Sequence, residues 1–282
     1  ARPGLPARPA CSGLRGERLD LLQSPAFQEE FPSIRTAFDP QTMREQIQAT
    51  LFGKGHANYV IEKCELDQAT YLPGEGVALR YEVSAKDRIT LQTIEPIVIG
   101  MVFPNQLACA LYMRDKLAPL VELMRGRPEI TPFSTPAAII EPLHMILHVF
   151  PIDGELPALV PATDPQRMAE LFRETLPEAT DNGYEVERCK VELVDYARRF
   201  RSVLRYTVEG KRAGARAERQ IVYGKVFNDT IGSLAGPVTS ALRDATSDPR
   251  TSYKFAVPRA LAWRPDMQLS LLEAIPGKPV IS

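Results

Sequence analysis

The sequence is short of the residues that metal and disulfide chemistry need. Its 282 residues include only four cysteines and three histidines. Cys11, Cys64, Cys109 and Cys189 lie far apart and form no CxxC pair, which argues for free buried thiols in a reducing cytoplasm. His56, His144 and His148 show no ligand spacing with them, so no metal site is assigned. No apolar run approaches the roughly 18 residues of a membrane span, and no segment has the basic start and apolar centre of a signal peptide. Neither charge sign prevails, with 34 Lys and Arg against 35 Asp and Glu. That balance gives no footprint for a nucleic-acid or membrane surface. The expectation is a cytoplasmic globular protein.

What is there is said twice. Asp39-Pro40-Gln41 reads as a helix start, with Asp at the N-cap, Pro at the first helical position, and Met43, Ile47 and Leu51 on one face. Asp164-Pro165-Gln166 repeats it, with Met168, Phe172 and Leu176 at the matching places. Laying residues 39–86 over 164–211 without a gap matches sixteen of forty-eight positions, among them Tyr59/Tyr184, Cys64/Cys189, Arg80/Arg205 and Tyr81/Tyr206. Chance gives roughly three. A period near 125 residues means two copies of a domain, since solenoid repeats run to roughly 20–50 residues. The division is a leader at 1–38 rich in Pro and Arg, copy 1 at 39–160, and copy 2 at 164–282, joined near Leu159–Thr163.

Each copy reads as helix, three strands, helix, two strands. In copy 2 the strands are Tyr184–Tyr196, Ser202–Val208, Gln220–Phe227, Phe255–Trp263 and Gln268–Ile275, with Lys211–Arg219 as a loop. Leu234, Val238, Ala241 and Leu242 mark its second helix, weakened by Pro237 and two glycines; in copy 1 Leu107, Leu111, Leu117 and Val121 are the expected core of that helix. The fold class is α+β, two tandem domains, each a five-stranded mostly antiparallel sheet with helices on one face.

The two copies part at one strand. Ile221-Val-Tyr-Gly-Lys-Val-Phe227 carries Lys225 in an apolar run, where an ammonium needs a partner. Its counterpart Ile97-Val-Ile-Gly-Met-Val-Phe103 has Met101 instead. This strand, with Tyr71-Leu-Pro-Gly-Glu-Gly-Val-Ala-Leu-Arg-Tyr81, Phe255-Ala-Val-Pro258 and Leu271-Leu-Glu-Ala-Ile-Pro-Gly277, resembles the small, N-terminal lobe of aminoglycoside-phosphotransferase-like and protein-kinase-like enzymes. The resemblance implies ATP with magnesium as cofactors and a nucleotide site in copy 2. Lys225 would face the phosphates, the turn with Arg198, Arg199 and Arg201 would lie over them, and the backbone of Glu273, Ala274 and Ile275 would read the adenine edge, between walls of Val203, Tyr223 and Leu271. On the residues alone, Lys225 also reads as an edge lysine whose head reaches water, and the arginine turn as a solvated loop.

The departures limit the function. Copy 1 lacks the lysine and should not bind a nucleotide there, and copy 2 has no glutamate between Thr230 and Ala245 to pair with Lys225. No histidine is followed two residues later by Asp, and the large lobe that would carry the chemistry is missing, so no catalytic residue is assigned. The expectation is the N-terminal nucleotide-binding region of a small-molecule phosphotransferase, transferring nothing by itself, its partner a large-lobe segment beyond residue 282 or another protein. The alternative is a non-catalytic tandem pseudokinase-like scaffold.

Overall fold

A computed structural model of the chain describes residues 24–53, 58–181, 183–197, 201–212, 216–229, 231–247 and 256–275. The chain divides into two compact units, the second being Pro151–Pro276. Both are α+β, built on antiparallel sheets of six and five strands. In unit 1, α1 (Pro25–Glu30), α2 (Ile34–Phe38) and α3 (Pro40–Ile47) precede β1 (Tyr59–Leu72) and β2 (Gly76–Asp87). Then come β3 (Thr93–Ile94), β4 (Ile97–Val102), α4 (Gln106–Tyr112), α5 (Ala118–Leu123), β5 (Ala137–Ile140) and β6 (Met145–Val149). Unit 2 repeats the plan with α6 (Leu159–Ala162), α7 (Pro165–Thr175), α8 (Pro177–Asp181), β7 (Tyr184–Ala197), β8 (Arg201–Arg212), β9 (Glu218–Phe227), α9 (Gly232–Ser247), β10 (Ala260–Arg264) and β11 (Leu269–Glu273). The strand orders β1-β2-β4-β6-β5 and β7-β8-β9-β11-β10 follow one path. The sixth strand of unit 1 is the two-residue β3, added beside β2.

One contact, made twice, holds helix to sheet. Tyr81 is fully buried and donates its hydroxyl to the Ala37 carbonyl at 2.6 Å; Tyr206, equally buried, donates to Ala162 at 3.0 Å. Each hydroxyl satisfies a carbonyl at the end of the short helix before the main one. Burial pushes both phenols well above their ordinary range. Each ring also lies across a glycine of the third strand. A Cβ on Gly224 would stand 2.6 Å from the Tyr206 ring and 2.9 Å from Leu269. On Gly100 it would meet Tyr81 at 3.0 Å and the Met145 methyl at 2.0 Å. The glycine that breaks each apolar run is the space the tyrosine occupies.

The opening helices form as their sequences direct. The Asp39 carboxylate caps α3 through the Thr42 amide at 2.9 Å, and Asp164 caps α7 through Gln166 and Arg167. Met43, Ile47, Leu51, Met168 and Phe172 are fully buried. The same structure reaches further upstream than the sequence match. Phe31, Ile34 and Ala37 are as buried as Leu156, Leu159 and Ala162, so with Phe27 they place the segment from Ser24 onward against the core of unit 1. The expected joint near Leu159–Thr163 is α6, packed inside unit 2.

Three expectations are corrected. Helices cover both faces of the unit 2 sheet. Phe172 of α7 meets Tyr206 on one face, while Phe227 and Trp263 on the other pack against the start of α9 so closely that a Cβ on Gly232 would lie 2.5 Å from the Phe227 ring. Among the residues expected to line the second helices, Leu107, Leu111, Leu234, Val238 and Leu242 are 41–68 % exposed, and only Leu117 is fully buried. The expected loop at Lys211–Arg219 is also shorter, because β8 runs to Arg212 and β9 starts at Glu218, joined by an Arg212–Glu218 ion pair at 3.1 Å.

Removing the hydroxyl tests the repeated contact. Tyr206→Phe leaves the Ala162 carbonyl unpaired and should cost about 1–2 kcal/mol. Gly224→Ala should cost roughly 1–3 kcal/mol by overpacking. Urea unfolding monitored by circular dichroism measures both; unchanged midpoints would show that the contact carries no weight.

Candidate functional site

The glycine under Tyr206 fixes which way β9 presents its side chains. Val222, Gly224 and Val226 are buried toward Tyr206, so Ile221, Tyr223, Lys225 and Phe227 lie on the opposite face, half-buried. Cross-strand pairing adds Val203 and Ser270 beside Lys225, and Arg201 beside Phe227. Arg201 is therefore the diagonal neighbour of Lys225 on the same face, with Cα atoms roughly 7–8 Å apart or less. Leu271 is opposite Gly224 and fully buried in the core, so it is no wall of a site at Lys225; Val203 and Tyr223 do share the lysine's face. Arg198 and Arg199 lie outside the described residues.

Away from Lys225, the charges on this face neutralise one another. Glu209 accepts from Arg188 and, at 2.8 Å, from Arg219; Glu192 accepts from Lys190 at 2.8 Å and Arg205 at 2.9 Å; Lys211 meets Glu187 at 2.7 Å. The hydrogen bond from Arg188 holds Glu209 below its ordinary range, and the one from Lys190 does the same for Glu192. At the other end the pattern stops. Among the described residues the side chains of Lys225 and Arg201 make no hydrogen bond or ion pair. The one carboxylate close by is Asp195, opposite Val203 and so two strands, roughly 9–10 Å, from Lys225.

Unit 1 is built differently at both cationic positions. Gly76 stands where unit 2 has Arg201, and a Cβ there would lie 2.3 Å from the Val102 carbonyl. Met101 stands for Lys225 and is 2 % exposed. Around it Ala78, Ile99, Ile146 and His148 are buried, and Arg80, 3.2 Å from Asp67, is nearly so. The repeat-equivalent of that ion pair is Arg205–Glu192.

At the end of β11 the Glu273 amide donates to the Arg259 carbonyl at 2.9 Å, so it is not free for a ligand. The Glu273 carboxylate sits between Arg243 of α9 and Arg259, at 3.5 and 3.8 Å. Ala274 and Ile275 follow the strand, with Ile275 43 % exposed.

Sequence reasoning did not find two grooves, one of about 260 Å³ between α7 and β7 and one of about 390 Å³ between α3 and β1. They are repeat-equivalent and serve the fold. Gln48 in the second donates to the Tyr59 carbonyl and accepts from the Ile61 amide, and Arg173 in the first donates to the Val186 carbonyl. Both clamp a strand beside its bulge. The thiols are no better placed for chemistry. Burial pushes Cys64 up to about 11 and Cys109 and Cys189 to about 12, leaving them protonated at neutral pH. Among the described residues no three His, Cys, Asp or Glu side chains cluster as metal ligands, and no helix is long and apolar enough to cross a membrane.

No protein-family model matches the chain, and neither the curated proteins nor the solved structures yield a match.

The paired charges carry a pH signature. Glu192 and Glu209 are depressed below 4.5, so their contribution is present above that pH and is lost as pH falls through their folded values. The thermal midpoint should fall between pH 5 and 3, and Glu209→Gln should flatten that fall; an unaltered slope in the variant would contradict the assignment.

Proposed function

We propose that unit 2 binds a nucleotide on the sheet face that carries Lys225, beside α9, with the phosphates at Lys225 and Arg201, as the N-terminal nucleotide-binding region of a small-molecule phosphotransferase. The observation that carries this is the pair of cations without a carboxylate partner, on a face whose other basic residues are paired. A phosphate would supply the missing counter-charge through charge-assisted hydrogen bonds. The internal copy supports the reading, because both cations are replaced together, by Gly76 and Met101, in a unit that closes the same face.

The dimensions agree with an extended nucleotide. Ala274 lies one residue past the Glu273–Val222 pair, at the level of Ile221 on β9. Four residues of strand separate that level from Lys225, roughly 13 Å at about 3.3 Å per residue. A base edge at Ala274 and Ile275 and phosphates at Lys225 would span it, with Tyr223 along the middle and Val203 beside the lysine. The base edge falls to Ala274 and Ile275 because the Glu273 amide is already bonded. Arg198 and Arg199, close to Arg201 in the chain, are proposed to add to the phosphate end. ATP is the nucleotide proposed, and magnesium would be held by its phosphates, since the described side chains offer no ligand cluster. In this chain the residues bind and orient; none is assigned to proton transfer or attack.

A second reading, a non-catalytic tandem pseudokinase-like scaffold, is favoured by unit 1, where the sheet carries neither cation and its face is filled by Met101, Ile99 and Ile146.

Lys225→Met, which copies unit 1 into unit 2, separates the two. Titration calorimetry with ATP and magnesium should show binding by the wild type and a loss of affinity of tenfold or more in Lys225→Met and in Arg201→Ala. Lys190→Ala should bind as the wild type does. No heat from the wild type, or equal affinity in all four proteins, would leave the scaffold reading standing and remove the nucleotide.

A further inference from the structure

Helix α9 is laid on the sheet by its small side. Gly232 leaves no room for a Cβ beside Phe227 and Trp263, a Cβ on Gly236 would lie 3.9 Å from that of Ala260, and Ala235 and Thr239 are half-buried. The large aliphatic side chains stand to one side of that contact. Ile231, Leu234, Val238 and Leu242 are 63, 59, 54 and 46 % exposed. Spacings of three, four and four residues line them along one stripe of the helix. From Gly232 to Leu242 there is no charged residue.

Unit 1 shows what an ordinary exposed helix looks like in this chain. Leu107, Leu111 and Leu123 are also exposed on its counterpart, but Arg114, Asp115, Lys116, Glu122 and Arg125 are set among them. Scattered leucines between charges are a solvated face, whereas a contiguous charge-free aliphatic stripe marks a contact surface.

We propose that the α9 stripe pairs with the same stripe of a second copy of this chain, as an isologous antiparallel helix contact. A stripe without charge gives a charged partner nothing to recognise, so the complementary surface must itself be uncharged and aliphatic at helical spacing. Among the described residues α9 is such a surface. Two-fold pairing sets Leu234 and Val238 of each copy near the axis, where the stripe meets itself. A formal net charge of −1 on 282 residues opposes the approach very little. The helix is roughly 24 Å long, and two such helices bury on the order of 800–1,000 Å² in total, under the roughly 1,200 Å² of a standard stable interface. The dimer is therefore reversible, forming in the micromolar range or above. This inference is independent of the nucleotide reading.

Sedimentation velocity on the whole chain from about 1 to 200 µM tests it. The weight-average mass of the wild type should rise toward the dimer with concentration, and raising sodium chloride from about 0.05 to 0.5 M should not weaken the association. Val238→Asp should hold the chain at monomer mass, with an unchanged circular dichroism melting midpoint because the position is exposed, while Leu107→Asp should associate like the wild type. A wild type that stays monomeric overturns the proposal. So does association that Val238→Asp leaves intact, that Leu107→Asp also abolishes, or that salt disrupts. A melting midpoint several degrees lower in Val238→Asp overturns it too, since the stripe would then be covered within the monomer.

Discussion

Each unit depends on a buried tyrosine whose hydroxyl closes a helix end and whose ring lies over a strand glycine. Tyr206 satisfies Ala162 and presses on Gly224; Tyr81 does the same for Ala37 and Gly100. The glycine gives up β-propensity and side-chain packing to let the ring in. In return the strand cannot slip by one residue, because a slip would place a side chain under the ring and turn the apolar set outward. This register decides which residues leave the core. Lys225 follows the glycine, so it must emerge on the other face.

With the first face fixed in common, the second face was free to differ. Unit 1 fills it with Met101, Ile99, Ile146 and Ala78, and admits Arg80 beside Asp67. Unit 2 has a lysine, an arginine and a half-buried tyrosine at matching positions, and further along the same face the described cations Arg188, Lys190, Arg205, Lys211 and Arg219 are each balanced by a carboxylate. One sheet path thus supports an apolar second face in one unit and a cationic one in the other. That second face of unit 2 is the one proposed to hold an anion, and its two cations make no ion pair among the described residues.

The repeat, the capped opening helices and their core residues could be read from the chain because they rest on local rules. Asp before Pro starts a helix, and Met, Ile and Leu at helical spacing face inward. The lysine strand was readable for the same reason, as an exception to its own apolar pattern. What escaped depends on tertiary placement. Leu234, Val238 and Leu242 have the spacing of a core stripe, but Phe227 and Trp263 accept only a glycine, and the helix is turned accordingly. Leu271 reads like Val203 in a strand, yet pairing with Gly224 sends it to the opposite face. Phe27 and Phe31 sit beside a Pro- and Arg-rich stretch, and only their packing with Tyr71 shows that they belong to the core. The neighbourhood of Arg201 and Lys225 is a matter of register, which no single-strand pattern contains.

The central claim is that the Lys225 face of unit 2 is where an anion is held. A crystal structure of the chain with a non-hydrolysable ATP analogue tests it most directly. The account predicts phosphate oxygens within hydrogen-bonding distance of Lys225 Nζ and the Arg201 guanidinium, the base toward Ala274 and Ile275, and no nucleotide beside Met101. A nucleotide bound elsewhere on the molecule, or a face at Lys225 left to water at saturating analogue, would contradict it.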